Sequence, residues 1–171
     1  EVLLLCASCG YKANQERADY KRPQAKAADT AEELRAVDTP NVRTIDELAA
    51  FFKCGAERFL KSIIYVADGK PVMAVVPGDR EINEVKLKNA LGALELELAS
   101  DTVVEEATGA PVGFAGPVTE KAIRTVFDLS IREKRNAVTG ANRKDCHYAG
   151  VNPGRDFQIT EQADITSAVK G

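Results

Sequence analysis

The sequence lacks the residues and motifs on which many hydrolases and nucleotide-binding enzymes depend. Its 171 residues include a single histidine, His147. They include no Gly-x-Ser-x-Gly elbow, no Walker loop and no His-Glu-x-x-His helix. A Ser-His-Asp triad therefore has no support in the sequence. Any hydrolysis by this chain is expected to use water positioned by charges and backbone amides, rather than a covalent nucleophile.

Long apolar runs and closely spaced cysteines are also scarce. No stretch approaches the roughly 18 apolar residues that a membrane-spanning helix needs, and the run from Val2 to Cys6 is short and lacks a basic leader. We therefore expect neither membrane insertion nor secretion. Of the four cysteines only Cys6 and Cys9 form a close pair, which is not the disulfide framework of a small secreted domain. A reducing cytoplasm fits this use of cysteine better.

Neither sign of charge dominates the chain. The 23 Lys and Arg residues and 26 Asp and Glu residues give a net charge of −3, so the surface as a whole is not expected to attract phosphate. The segment from Arg132 to His147 differs, because it holds five Lys or Arg residues against two acids. A solvated basic face is the simplest interpretation of this segment.

Length and composition favour one folded domain, since 44% of the residues are apolar. The chain starts at Glu1 rather than at Met, and we expect that something precedes it. Cys6 to Gly10 is a tight Cys-x-x-Cys turn, which is half of a zinc knuckle, and we predict no metal on this chain. Residues 12–43 are polar and rich in alanine, and they are predicted to form a connector with one short helix.

Capping residues and hydrophobic periodicity predict the elements after residue 43. Thr44 and Glu47 have the spacing of a capping box, which predicts a helix over about 45–53. The other predicted elements are an opening strand over 2–5, a short helix over 56–61, strands over 62–67 and 71–76 joined by an Asp68–Gly69 turn, a helix from 82 to 91, a strand-like stretch over 94–98, a helix over 101–108, and strands over 123–127 and 147–151. This order predicts an α/β (mixed α+β) fold whose last strand returns to the sheet.

Three motifs could carry chemistry, and each has an ordinary structural interpretation. Gly78 to Lys86 (Gly-Asp-Arg-Glu-Ile-Asn-Glu-Val-Lys) can be a turn and a surface helix, although Asn83 and Lys86 would share a helix face. Gly113 to Pro117 can be a common glycine turn. The third motif joins Asp128, Gly140–Ala141–Asn142 and His147 to Asn152, and its lone histidine can be structural.

In combination, these motifs resemble the insertion (editing) domain of bacterial-type prolyl-tRNA synthetases, which is related to the free-standing YbaK-like deacylases. The resemblance covers roughly 44–157, and Cys6 to Glu16 and Asp164 to Gly171 look like the synthetase segments that bracket the insertion. It implies a flanking segment and connector over 1–43, a deacylase domain over 44–157 and a return segment over 158–171. It also implies a largely antiparallel, curved or barrel-like sheet surrounded by helices.

The resemblance also implies roles for individual residues. Lys86 matches the family's essential lysine, whose ammonium would hold the terminal phosphate or the ester oxygen. Gly113 begins the loop whose backbone approaches the substrate carbonyl, and Asp128 would support the site. The residues implied to bind substrate are Ser62, Met73, Val75, Asn83, Phe114, Ala115, Gly116, Pro117 and His147.

Some of these assignments have alternatives. Ser62 replaces the threonine of the family pattern but keeps a hydroxyl. Met73 and Val75 would form the pocket wall, or equally they would pack in the core. His147 would set the size of the amino-acid pocket rather than transfer protons.

The activity implied by the resemblance is proofreading. A proline pocket cannot refuse the smaller alanine, because missing methylenes discriminate by only about 1–3 kcal/mol. A second site would therefore hydrolyse the ester of Ala-tRNA(Pro) without a cofactor, while ATP and Mg would serve only the parent synthetase in the cytoplasm. The implied partners are the alanylated tRNA(Pro) acceptor end, with residues 132–144 as a contact, and the catalytic and anticodon-binding domains of that parent. The alternative is a non-catalytic insertion that stabilises the synthetase or positions the acceptor end.

Overall fold

A computed structural model describes residues 2–20 and 30–168 of the chain. Strands β1 (Leu3–Leu5) and β2 (Lys12–Asn14) form a small antiparallel hairpin, and the Cys-x-x-Cys turn connects them. The other strands are β3 (Arg35–Asp38), β4 (Phe59–Ala67), β5 (Lys70–Pro77), β6 (Leu96–Leu98), β7 (Arg124–Asp128), β8 (Ala137–Gly140), β9 (Cys146–Val151) and β10 (Gln162–Ala163). They form one eight-stranded sheet in the order β10-β7-β5-β4-β8-β9-β3, with β6 paired to β4.

The large sheet mixes parallel and antiparallel pairs. Its longest pairing joins β4 and β5, from Leu60 opposite Pro77 to Ala67 opposite Lys70. The turn between them places Asp68 and Gly69 at φ of 48° and 76°, as a two-residue hairpin requires. Parallel pairs join β5 to β7, β4 to β8 and β7 to β10. The predicted mixed α/β fold and the β4–β5 hairpin are confirmed.

The helices begin and end at residues that satisfy their free backbone groups. In the described part of the chain they are α1 (Ile45–Phe52), α2 (Glu84–Leu91) and α3 (Asp101–Thr108). Thr44 and Glu47 form the predicted capping box of α1. Gly109 ends α3 in the left-handed conformation, as glycine after a helix commonly does. None of these helices has the length and apolar character to cross a membrane.

The structure differs from the sequence-based prediction in three segments. The helix predicted over 56–61 is a single 3₁₀ turn (Ala56–Arg58), because Phe59 and Leu60 enter the sheet and are almost completely buried. The basic polar segment contains a 3₁₀ turn (Leu129–Glu133) and β8. The connector contributes β2 and β3, and its described parts contain no helix, while 21–29 lie outside the described residues.

The two faces of β5 pack against different helices. Met73 and Val75 are fully buried in a cluster with Val104 of α3. Ala74 and Val76 are buried in a cluster with Leu87 of α2. Because successive side chains of a strand point to opposite faces, α2 and α3 cover opposite faces of the sheet. Helix α1 packs on the sheet through a third buried cluster, in which Leu48 packs with Phe59, Val138 and Ala149.

Candidate active site

A cavity of about 340 Å³ opens on the face of the sheet that carries α3. That volume is at the small end of the range for ligand pockets. Its polar and backbone lining includes Ser62, Gly113, Ala115, Thr139, Gly140 and His147. Ser62 is opposite Val75 on the neighbouring strand, and directly opposed residues share a face. The hairpin therefore directs the Ser62 hydroxyl to the side on which α3 lies.

Two glycines hold the loop over 113–117 against the end of β8. A Cβ added at Gly116 would overlap the carbonyl oxygen of Gly140. A Cβ at Gly140 would in turn overlap the carbonyl oxygen of Phe114. Only glycine allows this approach at both positions. The glycine loop of the sequence analysis is thus fixed to the cavity wall by backbone contact.

Asn142 fastens the same loop with three hydrogen bonds. Its Oδ1 accepts from the amide of Gly116 at 2.9 Å, and its Nδ2 donates to the carbonyl of Val118 at 2.8 Å. Its own amide donates to the carbonyl of Phe114 at 2.9 Å. Asn142 has a positive φ of 57°, which asparagine tolerates better than most residues. Asn142 therefore fixes the position of the loop relative to the end of β8.

Several polar groups of the cavity have no protein partner. The Ser62 hydroxyl is buried and makes no hydrogen bond. Among the described residues, none accepts a hydrogen bond from the amide of Gly113 or of Ala115. Buried polar groups are normally paired. Gly113 is exposed, so water can satisfy its amide, whereas Ala115 and the Ser62 hydroxyl are buried. The unpaired Ser62 hydroxyl and Ala115 amide in one cavity indicate a place for a polar ligand.

His147 forms part of the cavity wall and is held from behind. Its Nδ1 lies 2.7 Å from the hydroxyl oxygen of Thr39, which is completely buried. The ring of Phe114 packs against it with centroids 5.8 Å apart. Burial lowers the pKa of His147 below its usual value, because a low-dielectric environment disfavours the charged ring. The ring is therefore neutral near pH 7.

Other predicted substrate-binding residues lie behind the cavity surface. Met73 and Val75 are fully buried in the core cluster and do not reach the cavity. The side chains of Phe114 and Pro117 are also buried, so they support the loop from within. Of the two interpretations of Met73 and Val75, core packing is the one that the structure shows.

Lys86 lies on α2, on the opposite face of the sheet. Its ammonium donates to the carbonyl of Ala18 at 2.7 Å, to the carboxylate of Asp164 at 2.8 Å and to the carbonyl of Thr166 at 3.0 Å. A lysine ammonium has three donors, so all of them are used. We call this group of four residues, Lys86, Ala18, Asp164 and Thr166, the clasp.

Asn83 and Asp128 lie around the clasp rather than around the cavity. Asn83 caps α2 through the amides of Val85 and Lys86, and its Nδ2 donates to the carbonyl of Gln15 at 3.1 Å. Asp128 is fully buried and accepts from the amide and hydroxyl of Ser130. The expected common cleft is therefore wrong for Lys86, Asn83 and Asp128. Their catalytic and binding roles stay predictions.

The segments around the clasp form a second cavity of about 350 Å³. Its lining includes Val2, Gln15 and Ser167 together with the start of α2. In the turn between β1 and β2, hydrogen bonds from Ser8 and the Cys9 backbone lower the pKa of Cys6 to about 6. Within 2–20 and 30–168, no group of three or more His, Cys, Asp or Glu residues could hold a metal ion.

Sequence reasoning missed two residues that position the site. Thr39 falls in the predicted connector, and only the pairing of β3 with β9 brings it to His147. Asn142 was noted as part of a motif but not as a site residue. Asparagine adopts a positive φ more readily than most residues, so the residue type of Asn142 was the available signal for the bend in which it lies, at a φ of 57°.

Comparison with known proteins is consistent with this geometry. The sequence model of the aminoacyl-tRNA editing domain matches residues 39–157. The chain belongs to this family. The match begins at Thr39 and includes the cavity, Asn142 and His147. It excludes Ala18, Asp164 and Thr166, so the clasp ties the editing domain to the segments on both sides of it.

Curated relatives match the whole chain. It is 45% identical to the proline-tRNA ligase of Syntrophus aciditrophicus over 168 residues, covering 97% of this chain and 29% of that protein. It is also 45% identical to the proline-tRNA ligase of Geobacter metallireducens, covering 100% of this chain and 30% of that protein. It is 44% identical to the proline-tRNA ligase of Moorella thermoacetica, covering 99% of this chain and 30% of that protein. The chain thus spans less than a third of the length of these ligases.

Solved structures share the fold of the editing domain. A crystal structure described as a putative trans-editing enzyme for prolyl tRNA synthetase superposes with a TM-score of 0.67 at 19% identity, covering 79% of this chain and 87% of that one. Hypothetical protein APE2540 superposes with a TM-score of 0.69 at 26% identity, covering 79% and 92%. The mixed sheet with its covering helices is therefore a recurrent architecture.

Proposed function

We propose that this chain is the editing module of a proline-tRNA ligase and that it hydrolyses the ester of Ala-tRNA(Pro). Its similarity to three proline-tRNA ligases runs over 97–100% of its length. The family to which it belongs edits aminoacyl-tRNA. Alanine is the misacylated residue because a pocket for proline has little means of refusing a smaller side chain.

The unpaired backbone amides of the cavity carry this proposal. In ester hydrolysis the carbonyl oxygen gains negative charge as water attacks, and preorganised amides aimed at that oxygen stabilise the transition state. Gly113 and Ala115 supply two such amides on a loop that Gly116 and Asn142 fix in place. Among the described residues that line the cavity there is no cysteine, and the hydroxyls of Ser62 and Thr139 have no hydrogen bond to a base that would activate them. Water is therefore the nucleophile that we propose.

The cavity wall also supports discrimination by size. His147 lines the cavity, and the buried ring of Phe114 packs behind it with centroids 5.8 Å apart. Rigid aromatic walls exclude a side chain by overlap rather than by weak attraction. We propose that the wall admits alanine and excludes proline. The Ser62 hydroxyl, which lies on β4, would bind the ribose or the ester.

Lys86 and Asp128 are proposed to act through the clasp. Every donor of Lys86 is occupied in this structure, so a direct contact with the terminal phosphate would first require release of a flanking segment. Asp128 holds the 3₁₀ turn after β7 and lies 3.4 Å from the amide of Ile165. Both residues thus stabilise the sheet on which the cavity is built.

The partners follow from the proposed parent enzyme. The net charge of −3 predicts weak binding of tRNA by this chain, with most affinity supplied by the catalytic and anticodon-binding domains. The basic residues between 132 and 144 are the proposed contact for the acceptor end. No cofactor is proposed for editing, and ATP and Mg would serve the synthetase reaction in the cytoplasm.

Release of alanine from Ala-tRNA(Pro) by this chain tests the proposal. We expect hydrolysis well above the spontaneous rate at near-saturating tRNA, and much slower hydrolysis of Pro-tRNA(Pro). Gly113→Ala keeps the amide but strains the backbone, because the φ of Gly113 is +90°, and the displaced loop should lower the rate by about 100-fold. Background rates for the native chain, with tRNA binding intact, would instead support the non-catalytic insertion.

A further inference from the structure

Thr39 and His147 form a buried pair that joins the start of the family region to the cavity. The Thr39 hydroxyl oxygen is 2.7 Å from Nδ1 of the ring, and neither residue exceeds 3% exposure. His147 lines the cavity and Thr39 does not. The Nδ1 edge is therefore turned toward the protein, and the ring meets the cavity with its other side.

The position of the hydroxyl proton decides the state of the ring. If Nδ1 carried a proton and donated it to Thr39, the hydroxyl proton of Thr39 would need another acceptor. Among the described residues the Thr39 hydroxyl has no hydrogen-bond partner besides His147. A buried donor without an acceptor is unfavourable. If the Thr39 hydroxyl instead donates its proton to an unprotonated Nδ1, the buried hydroxyl has an acceptor and Nδ1 has a donor.

We infer that Thr39 is a positioning residue that fixes His147 as the neutral tautomer with its proton on Nε2. In a neutral imidazole one nitrogen donates and the other accepts. Because Nδ1 is the acceptor for Thr39, Nε2 carries the proton and is a hydrogen-bond donor. The ring therefore presents a donor to the cavity and no acceptor.

This assignment limits what His147 does in the proposed reaction. A nitrogen that already carries a proton cannot remove one from water, so His147 is not the general base. It can donate to an acceptor oxygen, and the aminoacyl ester and the ribose both offer such oxygens. This part of the inference rests on the proposed function, whereas the tautomer itself does not.

Nitrogen NMR measures the tautomer directly, because the chain has one histidine. In protein labelled with ¹⁵N-histidine, at about pH 8 where the ring is neutral, we expect the proton on Nε2 and an unprotonated Nδ1. A proton on Nδ1 in the native chain would overturn the inference, whatever the deacylation rate is. Deacylation by a chain with the other tautomer would contradict only this inference. The expected tautomer in a chain without deacylation would contradict only the proposed function.

Variants of Thr39 test its part in the assignment. Thr39→Val removes the hydroxyl and should produce a mixture of tautomers, whereas Thr39→Ser should keep the native one. Thr108→Val is the matched control, because Thr108 is also buried and, among the described residues, its hydroxyl bonds only to the end of α3 and the segment just after it, donating to Val104 at 2.7 Å and accepting from the amide of Ala110 at 3.1 Å, with no bond to His147. An unchanged His147 spectrum in folded Thr39→Val would contradict the positioning role.

The same variants give a kinetic readout. Loss of one neutral hydrogen bond to substrate corresponds to a change of roughly 3- to 10-fold. We expect Thr39→Val to lower kcat/KM for Ala-tRNA(Pro) by that factor, with recovery in Thr39→Ser and no change in Thr108→Val. Equal losses in Thr39→Val and Thr108→Val would show a general effect of stability and would contradict the inference.

Discussion

The cavity and the clasp lie on opposite faces of one sheet, and they differ in how their polar groups are satisfied. In the cavity, Ser62 and the amides of Gly113 and Ala115 lack partners among the described residues. In the clasp, the three donors of Lys86 all have acceptors. Since buried groups left unpaired are costly, the first arrangement is suited to a ligand and the second to a structural joint.

Changing Asn142 should have the largest effect on the cavity. Asn142→Ala removes the bonds to Gly116 and Val118, so the loop amides lose their position. A misplacement near 1 Å can lower a rate by about 100-fold, and we expect a loss of that size in kcat for alanine release. Asn142→Asp is the matched variant, since it keeps the acceptor for Gly116 and should lose less. An unchanged kcat in Asn142→Ala would remove the loop from the site.

Changing Lys86 should affect stability more than chemistry. Lys86→Met removes a buried ammonium and leaves the carboxylate of Asp164 and two carbonyls without their donor, which should lower the free energy of unfolding by about 3 kcal/mol. Lys88→Met is the control, because Lys88 is on the same helix and its side chain has no hydrogen bond to any described residue. Urea unfolding measures both.

The opposite result for Lys86 would contradict the view that the cavity binds the ligand and that the clasp is only a structural joint. If Lys86→Met were as stable as Lys88→Met but did not release alanine, its ammonium would act on the substrate. The catalytic role implied by the family resemblance would then be confirmed. The clasp would in that case have to open before tRNA binds.

Changing Ser62 should affect chemistry without a loss of stability. Its hydroxyl is buried and unpaired, so Ser62→Ala removes a group that gains nothing in the free protein. We expect an unfolding free energy that is unchanged or slightly higher. Alanine release should fall by roughly 2- to 10-fold, the value of one hydrogen bond. A clear loss of stability would show that the hydroxyl has a structural partner.

The smallest effect expected is on the pH dependence of stability. Burial lowers the pKa of His147, so the unfolded chain takes up this proton at a higher pH than the folded chain. Stability from His147 is therefore complete above the unfolded pKa of about 6.5 and falls as the pH drops toward the folded pKa. Urea midpoints at about pH 8 and pH 5.5 should differ less in His147→Asn. Equal differences would contradict this contribution.

Local patterns in the sequence predicted those parts of the fold that local interactions determine. The capping box of α1, the Asp68–Gly69 turn and the glycine after α3 each act within a few residues. The predicted helix over 56–61 failed because burial of Phe59 in the sheet outweighs helical spacing. Strand β8 was missed because a basic segment surrounds it.

Part of the candidate site could also be predicted, but from the family resemblance rather than from local interactions. Ser62, the Gly113–Pro117 loop and His147 were placed together correctly, since their motifs carried the family resemblance. Thr39 was not, because its contact with His147 spans 108 residues and depends on the pairing of β3 with β9. The surroundings of Lys86 were also hidden, since helical spacing shows which residues share a face but not which segments cover that face.

The clasp has a mechanical consequence. The carbonyls of Ala18 and Thr166 accept from the same ammonium, so the two connections of the editing domain leave it side by side. Asn83 also holds Gln15, and β10 pairs with β7 just before Asp164. Displacing either flanking segment would therefore break contacts with α2 and with the edge of the sheet, while, in the described part of the chain, the loop and ring that shape the cavity have no hydrogen bond to the clasp.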